Sequence, residues 1–88
     1  MVYVGIDVAK DKHDCFIVNS DGEVLYDVFT IQNNMDGFED LFFKIKTSSM
    51  DLSKVKVGLE ATGHYSCNIL GFLHNKGLST IVINPLYT

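Results

Sequence analysis

Two acids in this chain stand in the same setting. Asp7 closes the stretch Val4-Gly5-Ile6-Asp7, and Glu60 closes Val57-Gly58-Leu59-Glu60, each with a glycine two residues before it. An aliphatic run that ends on a carboxylate carries that carboxylate to the end of a buried strand. A glycine on the same strand face leaves room above the sheet for something to approach. Two carboxylates held close repel one another, and burial raises the cost. A divalent cation removes the conflict, and ligands that are all oxygen select a hard ion such as magnesium or manganese. A pair of such ions activates a water or hydroxyl and stabilises the leaving oxygen when a phosphodiester is cut. Spacing alone leaves open the plainer reading, in which each acid caps a strand end or the turn after it.

Other residues near the two acids bear on substrate. Lys10 and Lys12 follow Asp7 closely and are candidates for phosphate contact, with solvated turn lysines as the equal alternative. Thr62, Gly63 and His64 fall where a helix is expected to begin, and backbone amides at such a terminus favour phosphate. His64 is a candidate for positioning substrate, set against an ordinary exposed histidine. His13 and His74 carry no signal of their own. Asp11, Asp14 and Asp21 read as turn or edge residues. Cys15 and Cys67 share no C-x-x-C spacing and have no close histidine pair, so they read as free thiols and not as zinc ligands.

The elements that must position these residues follow from periodicity. Val2, Val4, Ile6 and Val8 alternate with Tyr3, Gly5 and Asp7, a strand signal. Two β-rich runs, near 13–19 and 23–31, flank Ser20-Asp21-Gly22, a strong hairpin signal. Phe38, Leu41, Phe42 and Ile45 then fall on one helical stripe, with Asn33 or Asn34 as cap and a polar loop over 47–53. Val55, Val57 and Leu59 resume strand alternation. A helix is expected over about 63–76, capped by Thr62, stopped by Gly77, with Tyr65, Ile69, Phe72 and Leu73 inward. A final buried strand runs to the Asn84-Pro85 turn. The order is β-β-β-α-β-α-β, a mixed α/β sheet with a right-handed parallel crossover. If the strands ending in Asp7 and Glu60 are parallel neighbours, both acids reach the edge where open α/β sheets bind ligands.

With 88 residues the chain has room for one small domain. Its net charge of −4 argues against a surface built for non-specific phosphate binding, though not against an acidic site that meets nucleic acid through metal ions. No apolar run approaches the length of a membrane span, and the N-terminus lacks a signal-peptide pattern, so the expected location is the cytoplasm.

The segments YVGIDVAKDKHDCFIVNSDGEVL, GFEDL, VGLEATGHYSCNILGFLHNKG and VINP together resemble the N-terminal part of the DEDD transposases of the insertion-sequence 110 family, which includes the Piv-type DNA invertases. The resemblance covers almost the whole chain, and the pairing of the GID and LEATG-HY segments carries it. It implies a RuvC-like catalytic domain with the ribonuclease H-like fold and strand order 3-2-1-4-5, which makes the strands of Asp7 and Glu60 neighbours. It implies magnesium, or manganese, at an Asp-Glu-Asp-Asp site whose first two acids are Asp7 and Glu60. The other two lie beyond the Asn-Pro turn, past Thr88. The expected function is that of a transposase or recombinase fragment: the intact protein cuts and rejoins DNA, in some relatives guided by an RNA. The 88 residues alone are expected to bind metal weakly, to leave DNA uncut, and to self-associate through exposed apolar surface around Ile81 and Ile83.

Two rival readings stand beside this one. A sugar-kinase or actin-like ATPase lobe also opens on a strand ending in aspartate and a hairpin, but its first loop is rich in Gly, Ser and Thr for phosphate. Val8-Ala9-Lys10-Asp11-Lys12 has none of these. A non-catalytic interaction module, with both acids at structural turns, is the other.

Overall fold

The computed structural model describes residues 1–60 and 65–83. Strands β1 (Val2–Val8), β2 (Lys12–Asn19) and β3 (Val24–Gln32) form a meander, followed by helix α1 (Met35–Ser48), a short 3-10 turn at Leu52–Lys54 and strand β4 (Val55–Glu60). Helix α2 (Cys67–Asn75) and strand β5 (Ser79–Ile83) complete the described elements. The sheet order is β3-β2-β1-β4-β5, with β1 antiparallel to β2 and parallel to β4, and β4 parallel to β5. This is the expected mixed sheet of the ribonuclease H-like fold. Among the described residues no helix is long and apolar enough to cross a membrane.

Alternation decides which face is core. Val2, Val4, Ile6 and Val8 of β1 and Val55, Val57 and Leu59 of β4 are buried, and they meet Phe38, Leu41 and Ile45 of α1 and Ile69, Phe72 and Leu73 of α2. The Phe38 and Phe72 rings lie 5.5 Å apart, so both helices pack on the same side of the sheet. The odd-numbered positions of β1 and the even-numbered positions of β4 face the other way. On that side, among the described residues, nothing covers the sheet.

Local chemistry sets most of the ends. The hairpin between β2 and β3 is organised by Asn19, whose side-chain oxygen accepts from the backbone N–H of Asp21 and of Glu23, both at 3.0 Å. Gly22 supplies the φ of 84° that the turn requires. Asn34 caps α1 by accepting from Gly37 N–H at 2.9 Å. Gly37 is also sterically required, because a Cβ there would collide with the Gln32 carbonyl at the end of β3. At the far end of α2, Gly77 (φ 75°) donates to the His74 carbonyl and Leu78 N–H to the Leu73 carbonyl. This double bond pattern is a Schellman stop.

Three expectations need correction. Helix α1 runs through Ser48, absorbing two residues assigned to the polar loop, because Thr47 and Ser48 bond back to the Lys44 carbonyl. Helix α2 begins at Cys67 and not at Gly63, and Tyr65 is exposed instead of inward. The proposed cap Thr62, with Gly63, and the Asn84-Pro85 turn lie outside the described residues. The final strand is not buried: Ile81, Val82 and Ile83 are all exposed, since β5 is an edge strand.

Candidate active site

The register of β1 against β4 decides how the two acids meet. Gly5 pairs with Gly58, and Asp7 pairs with Glu60, in a parallel ladder. Both acids therefore stand side by side at the C-terminal ends of the two strands, on the face away from the helices, and both are exposed. The sheet edge is where the alternation argument needed them, and the adjacency is direct.

A third carboxylate joins them. Asp14 on β2 is the antiparallel partner of Asp7 and lies on the same face. Thr30 on β3 donates its hydroxyl to Asp14 Oδ1 at 2.7 Å, which fixes that side chain from the far side. Asp7, Asp14 and Glu60 border one open cleft of about 500 Å³, with Phe16, Val28 and Ile83 as its apolar rim. Sequence reasoning gave Asp14 to a turn or edge. The signal that could have found it is the alternation of His13, Cys15 and Ile17, all buried, against Asp14 and Phe16.

The two glycines differ from each other. The space over Gly58 is open, as expected for a cleared face. Over Gly5 it is already filled, because a Cβ there would collide with the ring of Phe16, its partner across the ladder. Gly5 therefore seats an aromatic ring belonging to the chain itself, and only Gly58 leaves room for a visitor.

The donor set suits a hard cation: it is made of carboxylate oxygens, exposed and on one face. Among the described residues no three His, Cys, Asp or Glu side chains are gathered tightly enough to hold an ion by themselves.

The remaining candidates divide. Lys12 opens β2 two residues before Asp14, so alternation puts it on the acidic face, and it is exposed. Lys10 lies in the turn after β1, exposed, with its carbonyl accepting from the Asn33 side chain. Among the described residues the one ion pair is Lys44 with Asp40 on α1, so neither lysine is neutralised by an acid. Thr62 and His64 lie outside the described residues. Of the two thiols, Cys15 is buried and Cys67 exposed.

A transposase family model, that of the DEDD transposases of insertion-sequence 110, matches residues 4–88. The chain belongs to this family. Its members give the acidic edge a context that fold alone does not. The pilin gene-inverting protein of Moraxella bovis is 31% identical over 86 residues, which is 97% of this chain and 26% of that protein. The chain thus spans about a quarter of the length of that relative. In solved structures, Thermus thermophilus RuvC bound to a Holliday junction substrate covers 98% of this chain, and 66% of that chain is matched, at 11% identity and a TM-score of 0.64. A Bacteroides thetaiotaomicron protein of actin-like ATPase fold and unknown function reaches a TM-score of 0.73 at 17% identity, over 96% of this chain and 33% of that one. At such identities both likenesses concern the fold. They share one sheet, so the fold cannot separate the nuclease reading from the ATPase reading.

Proposed function

We propose that these residues are the first part of the catalytic domain of a DNA recombinase, and that Asp7 and Glu60 are the first two ligands of its divalent metal site. The observation that carries this reading is the direct Asp7–Glu60 pairing at the ends of adjacent parallel strands, on the uncovered face. Magnesium is the proposed ion, with manganese able to replace it, because the donors are all carboxylate oxygens.

When bound, the ion supplies a polarised water or hydroxyl and stabilises the leaving oxygen of a phosphodiester. The chain's own part is to hold the two carboxylates in register and to keep the space over Gly58 free for the DNA backbone. Lys12, and Lys10 in the turn before it, contact phosphates beside the cut. Thr62 and His64, which follow Glu60 in sequence, are proposed to do the same. An acidic chain cannot hold DNA by general attraction, so substrate affinity arises at this edge through cations and in the rest of the protein.

In a full-length family protein carrying this segment, Asp7→Asn and Glu60→Gln are each expected to abolish magnesium-dependent cutting and rejoining of element ends. The 88 residues alone, with two of the four acids, bind metal weakly and leave DNA intact. Magnesium-dependent nicking by the 88 residues that disappears in Asp7→Asn would overturn that last statement.

The uncovered face also supports self-association. Tyr3, Phe16, Ile81 and Ile83 are exposed on one side of the sheet, and apolar surface of this kind favours burial against a second copy. Sedimentation that finds only monomer at high concentration would contradict it.

A further inference from the structure

His13 has no part in the proposed chemistry, yet it is fully buried. It pairs with Val8, the last residue of β1, so its side chain lies on the core side of the strand that carries Asp7. Its ring is parallel to that of Phe38 in the first turns of α1, with 4° between the planes and 6.3 Å between centroids. His13 Nδ1 accepts a hydrogen bond from Ala9 N–H at 3.2 Å. An accepting Nδ1 carries no proton, so the neutral ring has its hydrogen on Nε2.

Nε2 is buried and, among the described residues, has no partner. Asn33 Oδ1 is buried and unpartnered as well. One is a donor and the other an acceptor, and the Asn33 side chain exerts a raising influence on the His13 pKa. Each is of the kind that could satisfy the other. The rest of Asn33 is already committed to the turn after β1. Its side-chain nitrogen donates to the Lys10 carbonyl at 2.9 Å, and its backbone N–H donates to the Asp11 carbonyl at 3.0 Å. Three consecutive residues, Ala9 to Asp11, are therefore held by one histidine and one asparagine.

We propose that the buried His13 and the half-buried Asn33 form a clamp on the Ala9–Asp11 turn, acting as positioning residues that fix the backbone leaving Asp7 and the lysines beside it. This turn contains no glycine and no hydroxyl side chain to shape it from within, so its conformation is imposed from outside. The clamp also works only while the imidazole is neutral. Protonation places a hydrogen on Nδ1, which removes the acceptor for Ala9 N–H and buries a charge. Burial holds the His13 pKa below its ordinary 6.5, against smaller raising effects from the Asn33 side chain and the Lys12 backbone. No acidic or basic side chain of β1, β3 or α1 contributes to that shift. The clamp is closed at neutral pH and opens as the pH falls through the lowered value.

The clamp stands without the metal, and only its bearing on the chemistry at Asp7 rests on the proposed metal site. The test is nuclear magnetic resonance of the 88-residue chain. Nitrogen-15 spectra of the imidazole are expected to show the Nε2–H tautomer at pH 7; an Nδ1–H tautomer would overturn the proposal with no variant needed. Hydrogen exchange at Ala9 is expected to speed up about tenfold in His13→Phe, the worth of one hydrogen bond. It should stay slow in His13→Asn, whose side-chain oxygen stands where Nδ1 did. The amide of Val57 in the core should exchange alike in all three. An unchanged Ala9 protection factor, the exchange rate relative to the intrinsic rate at the same pH, in His13→Phe or on acidification well below pH 6.5 would overturn the clamp. Failure of the metal reading looks different: no manganese-dependent broadening near Asp7, with Ala9 still protected, which upholds the clamp and removes the metal.

Discussion

The two faces of the sheet are written by the same strands and are physically opposite. On the helix side Val4, Ile6, Val57 and Leu59 are at most 2% exposed. On the other side their immediate neighbours include Tyr3, Phe16 and Ile81, between 43% and 61% exposed, together with the acids Asp7, Asp14 and Glu60. A period of two residues lets one strand carry packing on one face and chemistry on the other. Stability and function should then separate by parity, with adjacent residues failing in different ways.

The sharpest break of that comparison is Leu59 against Glu60. Leu59→Ala empties a fully buried position and is expected to cost about 2–5 kcal/mol in denaturant unfolding. Glu60→Gln, one residue on, should stay within about 0.5 kcal/mol, as for an exposed side chain away from any structural feature. If both lose similar stability, the separation by face is wrong.

The glycines give the next effect. Gly5→Ala must displace the Phe16 ring and is expected to cost about 1–3 kcal/mol, whereas Gly58→Ala meets open space and should be tolerated. In a Phe16→Ala background the cost of Gly5→Ala should vanish, and thermal melts of the four proteins would show it.

A smaller effect comes from His13. Its folded pKa is lowered, so the unfolded chain binds the proton more readily. The stabilising contribution is complete above 6.5 and is lost as the pH falls through the folded value. Unfolding measured across this range should show a slope that His13→Phe flattens. The smallest effect is chemical. Burial, with Asp14 adding to it and Lys44 opposing, pushes the Cys15 thiol up to about 12, while Cys67 is exposed. An alkylating reagent at neutral pH should label Cys67 alone in the folded chain.

Much of this arrangement is legible without coordinates, for identifiable reasons. Alternation at Val2–Val8 and Val55–Glu60, the Asp21-Gly22 turn and the Phe38–Ile45 stripe each depend on neighbours in sequence. The adjacency of β1 and β4 does not, and it came from the family resemblance. Asp14 and His13 carry no signal in the linear sequence because their significance lies in register across strands: one faces Asp7, the other Val8. The run Ile81-Val82-Ile83 is apolar at every position, so it says that a strand is there but not which of its faces is covered. Thr62-Gly63 has the residue types of a cap and so places the helix after Glu60 too early, whereas the described helix starts at Cys67 with no side-chain cap.

The claim that Asp7 and Glu60 are two parts of one metal site is tested most directly by titrating manganese into the isotope-labelled chain and reading paramagnetic broadening residue by residue. Broadening is expected to centre on the amides of Asp7 and Glu60, to be weaker at Asp14, and to be lost in both Asp7→Asn and Glu60→Gln. Equal broadening at exposed acids elsewhere, such as Asp27 and Glu39, or a pattern that survives both substitutions, would contradict it.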